Sequence, residues 1–126
     1  MFSGFFQCKR IMKKKYSLKR NEEIAKIVHK RRFVKNETFV MYYQPNSDIG
    51  HSRICISVGK KNGNAVTRNK IKRQLREMIT AIFDFEKQCD YVVIVRQAFL
   101  ENDFAYNKEK LNELYLKLIS KNKEYK

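Results

Sequence analysis

The stretch that decides the fold reads GNAVTRNKIKRQLRE and spans residues 63–77. It places five basic side chains in the nine positions Arg68–Arg76 and keeps an apolar residue at every helical turn. The apolar residues follow the spacing of an amphipathic helix, which we expect to begin at Asn64 or Thr67 and to end near Phe83. Its predicted buried face consists of Ile71, Leu75, Met78, Ile79 and Ile82.

The polar side of this predicted helix carries a stripe of one charge sign. Arg68, Lys72 and Arg76 fall at i, i+4 and i+8, and Asn69 and Arg73 lie on the flank of the stripe. Like charges at this spacing destabilise an isolated helix by roughly 0.2–0.5 kcal/mol a pair, a cost that bound phosphates would remove. A solvated surface helix is the alternative. Because arginine presents a fork of donors suited to phosphate, the stripe favours contact with a polyanion.

The formal charge of +15 is confined to two segments of the 126-residue chain. Residues 1–36 carry twelve Lys or Arg against two Glu, and residues 59–77 carry seven against one Glu. Residues 37–58 hold one Arg against two acids, and residues 78–126 hold eight bases and eight acids. A charge that served only solubility would be spread evenly. The distribution therefore indicates a partner of opposite sign, with nucleic acid first and an anionic membrane second.

Patterns outside the central helix predict three strands and two more helices. We expect a short helix over residues 21–31, with Asn21 as its N-cap, and a last helix near residues 107–121. Strands are expected over residues 38–44, 53–58 and 90–96, and the last of these contains a continuous apolar run and is therefore predicted to be central. This order predicts a single-domain α+β fold, a two-layer sandwich with helices packed against one sheet.

Several kinds of site are disfavoured by the sequence. The stretch GKKNGNAVTR lacks the residue order of a P-loop, so nucleotide hydrolysis has no support. Metal-assisted cleavage by protein needs clustered carboxylates, whereas the aspartates are scattered at Asp48, Asp84, Asp90 and Asp103. The two His and three Cys show no metal-ligand spacing, and unpaired Cys are typical of a reduced, cytoplasmic protein. We expect no catalytic residue, no metal ligand, no signal peptide and no membrane span.

The longer stretch SVGKKNGNAVTRNKIKRQLRE, residues 57–77, closely resembles the signature of the bacterial ribonuclease P protein subunit family. That family shows a strand ending in Ser-Val, a Lys-Lys pair, Gly-Asn-Ala-Val and then an Arg-Asn-x-x-Lys-Arg-x-x-Arg helix. The segments YSLKRNEEI, FVMYY and DYVVIVR resemble other parts of the family pattern, so the resemblance covers roughly residues 16–120. It implies the order α-β-β-β-α-β-α, with a left-handed βαβ crossover through the basic helix and one more short strand near Phe33–Lys35.

The resemblance also implies boundaries and a function. The family domain would span residues 16–121, between a flexible basic and apolar extension, residues 1–15, and a basic tail, residues 122–126. In this family the RNA subunit cuts the 5′ leader from precursor tRNA with magnesium ions. The protein binds that RNA through the basic motif and holds the single-stranded leader in a cleft on its sheet. The implied partners are thus the catalytic RNA and precursor tRNA, in the cytoplasm, with no membrane and no obligate protein partner. The implied cofactor is Mg²⁺, held mainly by RNA.

The family motif carries over to two sets of candidate site residues. The RNA-binding set is Lys60, Lys61, Asn64, Arg68, Asn69, Lys70, Lys72, Arg73 and Arg76. The leader-binding set is Tyr42, Ile24, Val28 and Arg31. Lys70 stands where the family often has Arg, and Arg31 with Arg32 replaces a small residue that is usual after the first helix. Ile24 and Val28 stand where aromatics are frequent, so simple core packing is the alternative for them and for Tyr42.

Two other functions remain compatible with parts of the sequence. Charge alone would suit a ribosomal-type structural protein or a general RNA chaperone. A self-sufficient nuclease is the third hypothesis, although the scattered carboxylates give it no support.

Overall fold

The chain folds around one four-stranded sheet with helices on both of its faces. The structure is a computed structural model, and it describes residues 14–46 and 49–124. The strands are β1 (Phe33–Lys35), β2 (Phe39–Pro45), β3 (Arg53–Ser57) and β4 (Cys89–Val95). The helices are α1 (Asn21–His29), α2 (Ala65–Ile82), α3 (Ala98–Glu101) and α4 (Phe104–Glu124). Short 3-10 turns cover Lys14–Tyr16 and Lys60–Asn62.

The sheet has the strand order β1-β2-β4-β3. The strands β1 and β2 pair antiparallel, as do β2 and β4, whereas β3 and β4 are parallel neighbours. The α+β class, the central place of β4 and the short strand β1 are therefore confirmed. The predicted element order is also confirmed, with the single-turn helix α3 as an unpredicted addition. The helix α2 connects β3 to β4, and the left hand of this crossover stays an expectation from the resemblance.

The main core lies between the sheet and the helices α2 and α4. Alternate residues of the central strands point into it because successive side chains of a strand face opposite sides. Its strand residues include Phe39, Met41, Tyr43, Tyr91 and Val93, all at most 2% exposed. The predicted buried face of α2 is confirmed: Ile71, Leu75, Met78 and Ile79 are buried, and Ile82 packs half-buried against them. The helix α4 adds Leu111, Leu114, Tyr115 and Leu118.

A smaller apolar cluster lies on the opposite face of the sheet, where α1 packs. Its buried members are Leu18, Ile27 and Val92, and the half-buried residues around them are Ile24, Val28, Tyr42, Cys55 and Ile94. The helix α1 thus covers only part of this face. Three residues of the predicted leader cleft, Ile24, Val28 and Tyr42, belong to this cluster.

Three predicted helix ends differ from the structure. Asn21 is the first residue of α1 rather than its N-cap, because the Arg20 carbonyl already accepts a hydrogen bond from the Ile24 N–H at 3.0 Å. The same helix ends at His29, two residues early, since Arg31 adopts a left-handed conformation with φ of 57°. The last helix begins at Phe104 because the Asp103 carboxylate accepts the Tyr106 N–H at 2.9 Å.

The two ends of the chain were predicted to be an extension and a basic tail. Residues 1–13 and 125–126 lie outside the described residues, so the extension and the tail stay predictions. Within residues 14–46 and 49–124, no helix has the length and the apolar character to cross a bilayer.

The main core contains ionisable groups whose neutral forms are favoured by burial. Burial raises the pKa of the Cys89 thiol from about 9 to about 11 and also raises the pKa values of Tyr91 and Tyr115. The Cys89 thiol ionises at lower pH in the unfolded chain than in the folded protein. The stability from Cys89 is therefore present below pH 9 and is lost as the pH rises through 11.

We expect thermal melts to show a stability loss of roughly 2 kcal/mol from the Cys89 thiol by pH 11. Cys89→Ala should flatten that part of the pH profile, and an unchanged profile would contradict the assignment.

Candidate nucleic-acid interface

The loop before α2 brings backbone and basic side chains to the start of the helix. Asn64 is the N-cap, since its side-chain oxygen accepts the Thr67 N–H at 2.9 Å, and this settles the predicted choice between Asn64 and Thr67. Gly63 has φ of 124°, and a Cβ there would lie 3.0 Å from the Thr67 side chain. A glycine is therefore required at this tight turn. Lys60 and Lys61 stand exposed on the 3-10 turn just before it.

The basic side chains of α2 occupy two adjacent sides of the helix. At about 100° per residue, Asn69 and Arg73 lie opposite the buried face and are exposed. Arg68 and Lys72 lie nearer the sheet and are half-buried, and the Arg68 Nε donates to the Gly63 carbonyl at 3.2 Å. Arg76 continues this side and is exposed, whereas Lys70 lies exposed on the other flank.

No acidic side chain of the described residues neutralises these bases. The four ion pairs found within residues 14–46 and 49–124 all involve Arg53 or Lys110. Glu77 stands four residues after Arg73, yet no ion pair forms between them among these contacts. The structure thus leaves the charge of α2 facing solvent, as a surface that binds phosphates requires.

The basic helix is electrostatically linked to the second face of the sheet. Cys55 lies half-buried on β3, on the same face as the small cluster around Val92. Burial raises the pKa of the Cys55 thiol, and the Lys72 ammonium opposes that shift. Lys72 therefore lies close enough to the face that carries α1 to act on it. Cys55 lies on the edge strand β3, so the basic side of α2 comes near this face at its β3 edge.

An aromatic pair lies on this second face. Tyr42 of β2 is the register partner of Phe33 of β1, and their ring centroids are 5.3 Å apart at an interplanar angle of 42°. Phe33 is 37% exposed, while Tyr42 is half-buried. Ile24 and Val28 pack beside Tyr42 in the small cluster, so both contribute to core packing. Phe33 was missing from the candidate residues, although the implied strand near Phe33–Lys35 pointed to its position.

Arg31 stands at the end of α1 in a conformation that arginine rarely adopts. Its φ of 57° makes it the only non-glycine residue with positive φ in the described chain. The Arg31 N–H donates to the Val28 carbonyl at 3.1 Å, which closes the helix end. Its side chain is exposed, and the residue lies two positions before Phe33, the first residue of β1. Glycine is the usual residue at such a helix end because it lacks a Cβ.

A charged network that the sequence did not predict anchors α1 to the sheet. The Arg53 guanidinium donates to both oxygens of Asp90, at 3.0 and 2.8 Å, and to both oxygens of Glu23, at 3.3 and 3.1 Å. Asn46 adds a hydrogen bond to Asp90 at 2.7 Å. Bonding to the two carboxylates raises the pKa of Arg53, with Asp90 the stronger cause. This network joins α1, β3, β4 and the loop after β2.

The three aspartates that the structure describes have structural roles. Asp90 bonds to Arg53, Asp103 caps α4, and the Asp84 side chain accepts the Glu86 N–H at 3.0 Å. Across residues 14–46 and 49–124, no group of three or more His, Cys, Asp or Glu side chains is placed to hold a metal ion. Asp48 lies outside the described residues. The donor set present does not fit a magnesium site held by protein alone.

The chain is similar to known proteins over most of its length. A family model described as Ribonuclease P matches residues 12–119. The Ribonuclease P protein component of Mesoplasma florum is 46% identical over 110 residues, which cover 86% of this chain and 99% of that protein. The corresponding protein of Bacillus pumilus is 40% identical over 109 residues, covering 84% of this chain and 90% of its relative.

Solved structures share the fold. A Staphylococcus aureus RNase P protein, described as a mutant with defective mRNA degradation activity, superposes with a TM-score of 0.78 at 37% identity. The match covers 94% of this chain and 98% of that one. The RNase P protein of Thermotoga maritima gives a TM-score of 0.66 at 34% identity, covering 78% of this chain and 94% of its own.

Proposed function

The chain belongs to the ribonuclease P protein family, and we propose from this membership that it binds the catalytic RNA of ribonuclease P through α2. In this role it is the protein component of a tRNA-processing endoribonuclease whose chemistry is carried out by the RNA. The observation that carries the proposal is the unneutralised charge of Arg68, Lys72, Arg73 and Arg76 on one helix whose opposite side is fully packed. A general RNA chaperone would share this charge but would not discriminate substrates by their 5′ leader.

The surface beside α1 is the proposed site for the 5′ leader of precursor tRNA. Phe33 and Tyr42 offer an aromatic face on which an unpaired base can stack, and stacking is worth about 1–3 kcal/mol per base. Arg31 and Lys35 flank this face with positive charge at its β1 side. Lys72 adds charge near Cys55 on the far side of α1. The aromatic pair lies at the β1 edge of the sheet and Lys72 near its β3 edge, so a leader that reached both would cross the face that carries α1.

Magnesium belongs in this proposal to the RNA partner and the substrate. Asp84 and Asp103 accept backbone N–H groups and Asp90 bonds to Arg53, and within residues 14–46 and 49–124 no group of three or more candidate ligands is placed for a cation. We also place the protein in the cytoplasm, where the free thiols Cys55 and Cys89 would stay reduced.

Removal of the aromatic ring of Phe33 tests the leader site. We expect Phe33→Ala to weaken binding of a precursor tRNA with a long 5′ leader by roughly tenfold, since one stacked base is lost. Binding of mature tRNA to the same complex of protein and catalytic RNA should not change. Affinities of both substrates, measured by fluorescence anisotropy for wild type, Phe33→Ala and Phe33→Tyr, provide the comparison. Equal losses for leader-bearing and leaderless tRNA would contradict the assignment and favour a general RNA-binding role.

Two substitutions of Arg31 separate its charge from its backbone strain. Arg31→Gly removes both, whereas Arg31→Ala removes the charge but keeps a Cβ at φ of 57°. We expect Arg31→Gly to be about 1 kcal/mol more stable than Arg31→Ala, because glycine enters the left-handed region without steric cost. The two variants should lose the same affinity for leader-bearing precursor tRNA. Urea unfolding measures the stability difference, and equal stability of the two variants would show that the conformation is not strained.

A further inference from the structure

A cavity of about 290 Å³ lies on the flank of α2 that faces away from the proposed leader site. It is open to solvent on one side and is lined by α2, α3 and the beginning of α4. Its lining includes Lys70 from α2, Phe99 and Leu100 from α3, and Asp103 and Phe104 at the start of α4. Its volume is at the lower end of the range for small-molecule sites, which suits one nucleobase better than a larger ligand.

The outer wall of this cavity is fixed by hydrogen bonds. Asn107, only 1% exposed, donates to the Phe99 carbonyl at 2.9 Å and to the Asn102 carbonyl at 3.3 Å. The Asn102 side chain donates in turn to the Ala98 carbonyl at 2.9 Å. Asp103 completes the wall by capping α4. The segment between α3 and α4 is therefore held in one conformation before any ligand arrives, which lowers the entropy cost of binding.

The lining combines apolar walls with one acid and one base. Leu100 is 50% exposed although it is a large apolar side chain, and it lies beside the half-buried ring of Phe104. Lys70 is exposed and has no ion pair among the described residues. Asp103 uses one carboxylate oxygen to cap α4, and carboxylate oxygens can accept further hydrogen bonds. A flat apolar ligand with N–H donors on one edge and a phosphate on the other side matches this arrangement.

We propose that this cavity receives a single unpaired guanine of the RNA that α2 binds. The inference rests on the proposed function, because Lys70 belongs to the same basic helix. The base would pack between Leu100 and Phe104, and its N1–H and exocyclic N2–H would donate to the Asp103 carboxylate. Adenine instead presents an N1 acceptor to that carboxylate and is disfavoured. The phosphate of the nucleotide would lie toward Lys70, away from Asp103.

Affinity measurements on three variants of the full chain test this cavity. We expect Leu100→Ser to weaken binding to the catalytic RNA by roughly tenfold, with no change in the salt dependence, since no phosphate contact is lost. Asp103→Asn keeps a residue that caps helices well, but it replaces one of the two carboxylate oxygens by an NH2 donor. The variant can no longer accept both N–H groups of guanine, so it should also weaken binding. The control is Leu116→Ser, which alters a 58% exposed leucine on α4 outside the cavity and should leave the affinity unchanged. Thermal melts establish that each variant is folded.

The outcomes distinguish the cavity from the basic helix. If Arg73→Ala weakens RNA binding and Leu100→Ser does not, the cavity proposal is wrong and the proposed function stands. If neither substitution weakens binding, the proposed function itself is wrong. Equal losses for Leu100→Ser and Leu116→Ser would also overturn the cavity proposal. In NMR spectra of the protein, guanosine monophosphate at millimolar concentration should shift the Leu100 methyl signals, and adenosine monophosphate should shift them less; equal shifts would overturn the choice of guanine.

Discussion

Replacing Arg53 by Ala is expected to lower the free energy of unfolding by about 3–5 kcal/mol, the usual cost of removing one partner from a buried ion pair. Asp90 has a side chain that is only 9% exposed, and it would lose both of its bonds to the guanidinium. Glu23 would lose its bidentate partner as well, so α1 would be less firmly held on the sheet. Urea unfolding followed by circular dichroism measures the change.

The network also predicts how the loss can be reduced. Asp90→Asn removes the buried charge, so the double variant Arg53→Ala with Asp90→Asn should lose less stability than the sum of the single variants. Arg53→Lys should fall between wild type and Arg53→Ala, because an ammonium cannot form both bidentate pairs. Additive losses, or an Arg53→Ala variant as stable as the wild type, would show that Arg53 acts as an independent surface residue.

Arg73→Ala is expected to weaken binding to the catalytic RNA by roughly tenfold or more, the effect of losing hydrogen bonds to a charged group. Its thermal stability should change little, because the side chain is exposed and opposite the buried face of α2. With about six phosphate contacts, log K against log salt should have a slope of roughly −4 to −5, and the substitution should reduce its magnitude by slightly less than one. Filter binding over a range of salt concentrations measures both quantities.

Two controls accompany this prediction. Arg68→Ala should also weaken binding, but the Arg68 Nε bonds to the Gly63 carbonyl, so some loss of stability is expected with it. Lys117→Ala removes an exposed charge from α4, away from the basic residues of α2. It should change neither the affinity for the catalytic RNA nor the slope of log K against log salt. If Arg73→Ala lost stability and affinity in equal measure, or if the slope were flat, α2 would have a structural role only.

Local patterns in the sequence predicted α2 and its two sides well. The spacing of Ile71, Leu75 and Met78 defined the buried face, because this effect acts within one or two helical turns. The sequence limited the N-cap to Asn64 or Thr67, and only the structure identifies Asn64. The continuous apolar run of β4 likewise indicated its central place in the sheet. In each case the residues of a single segment determine its secondary structure and which of its sides is buried.

Features that depend on distant segments were not predictable in the same way. The ion pairs of Arg53 could not be predicted from local patterns, because its partners Glu23 and Asp90 lie far away in the sequence. Phe33 meets Tyr42, which follows it by nine residues, only because the antiparallel register of β1 and β2 pairs them. The strand β1 has only three residues, which is too short for its side-chain pattern to predict this contact.

The most direct test of the central claim is cleavage of precursor tRNA by the catalytic RNA at low magnesium, with and without this protein. We expect the wild-type protein to raise the cleavage rate strongly and Arg73→Ala to require a higher protein concentration for the same rate. The protein alone should produce no cleavage. A rate that does not respond to the protein would contradict its role as the subunit of a ribonucleoprotein enzyme, and cleavage by the protein alone would show that it contains an active site of its own.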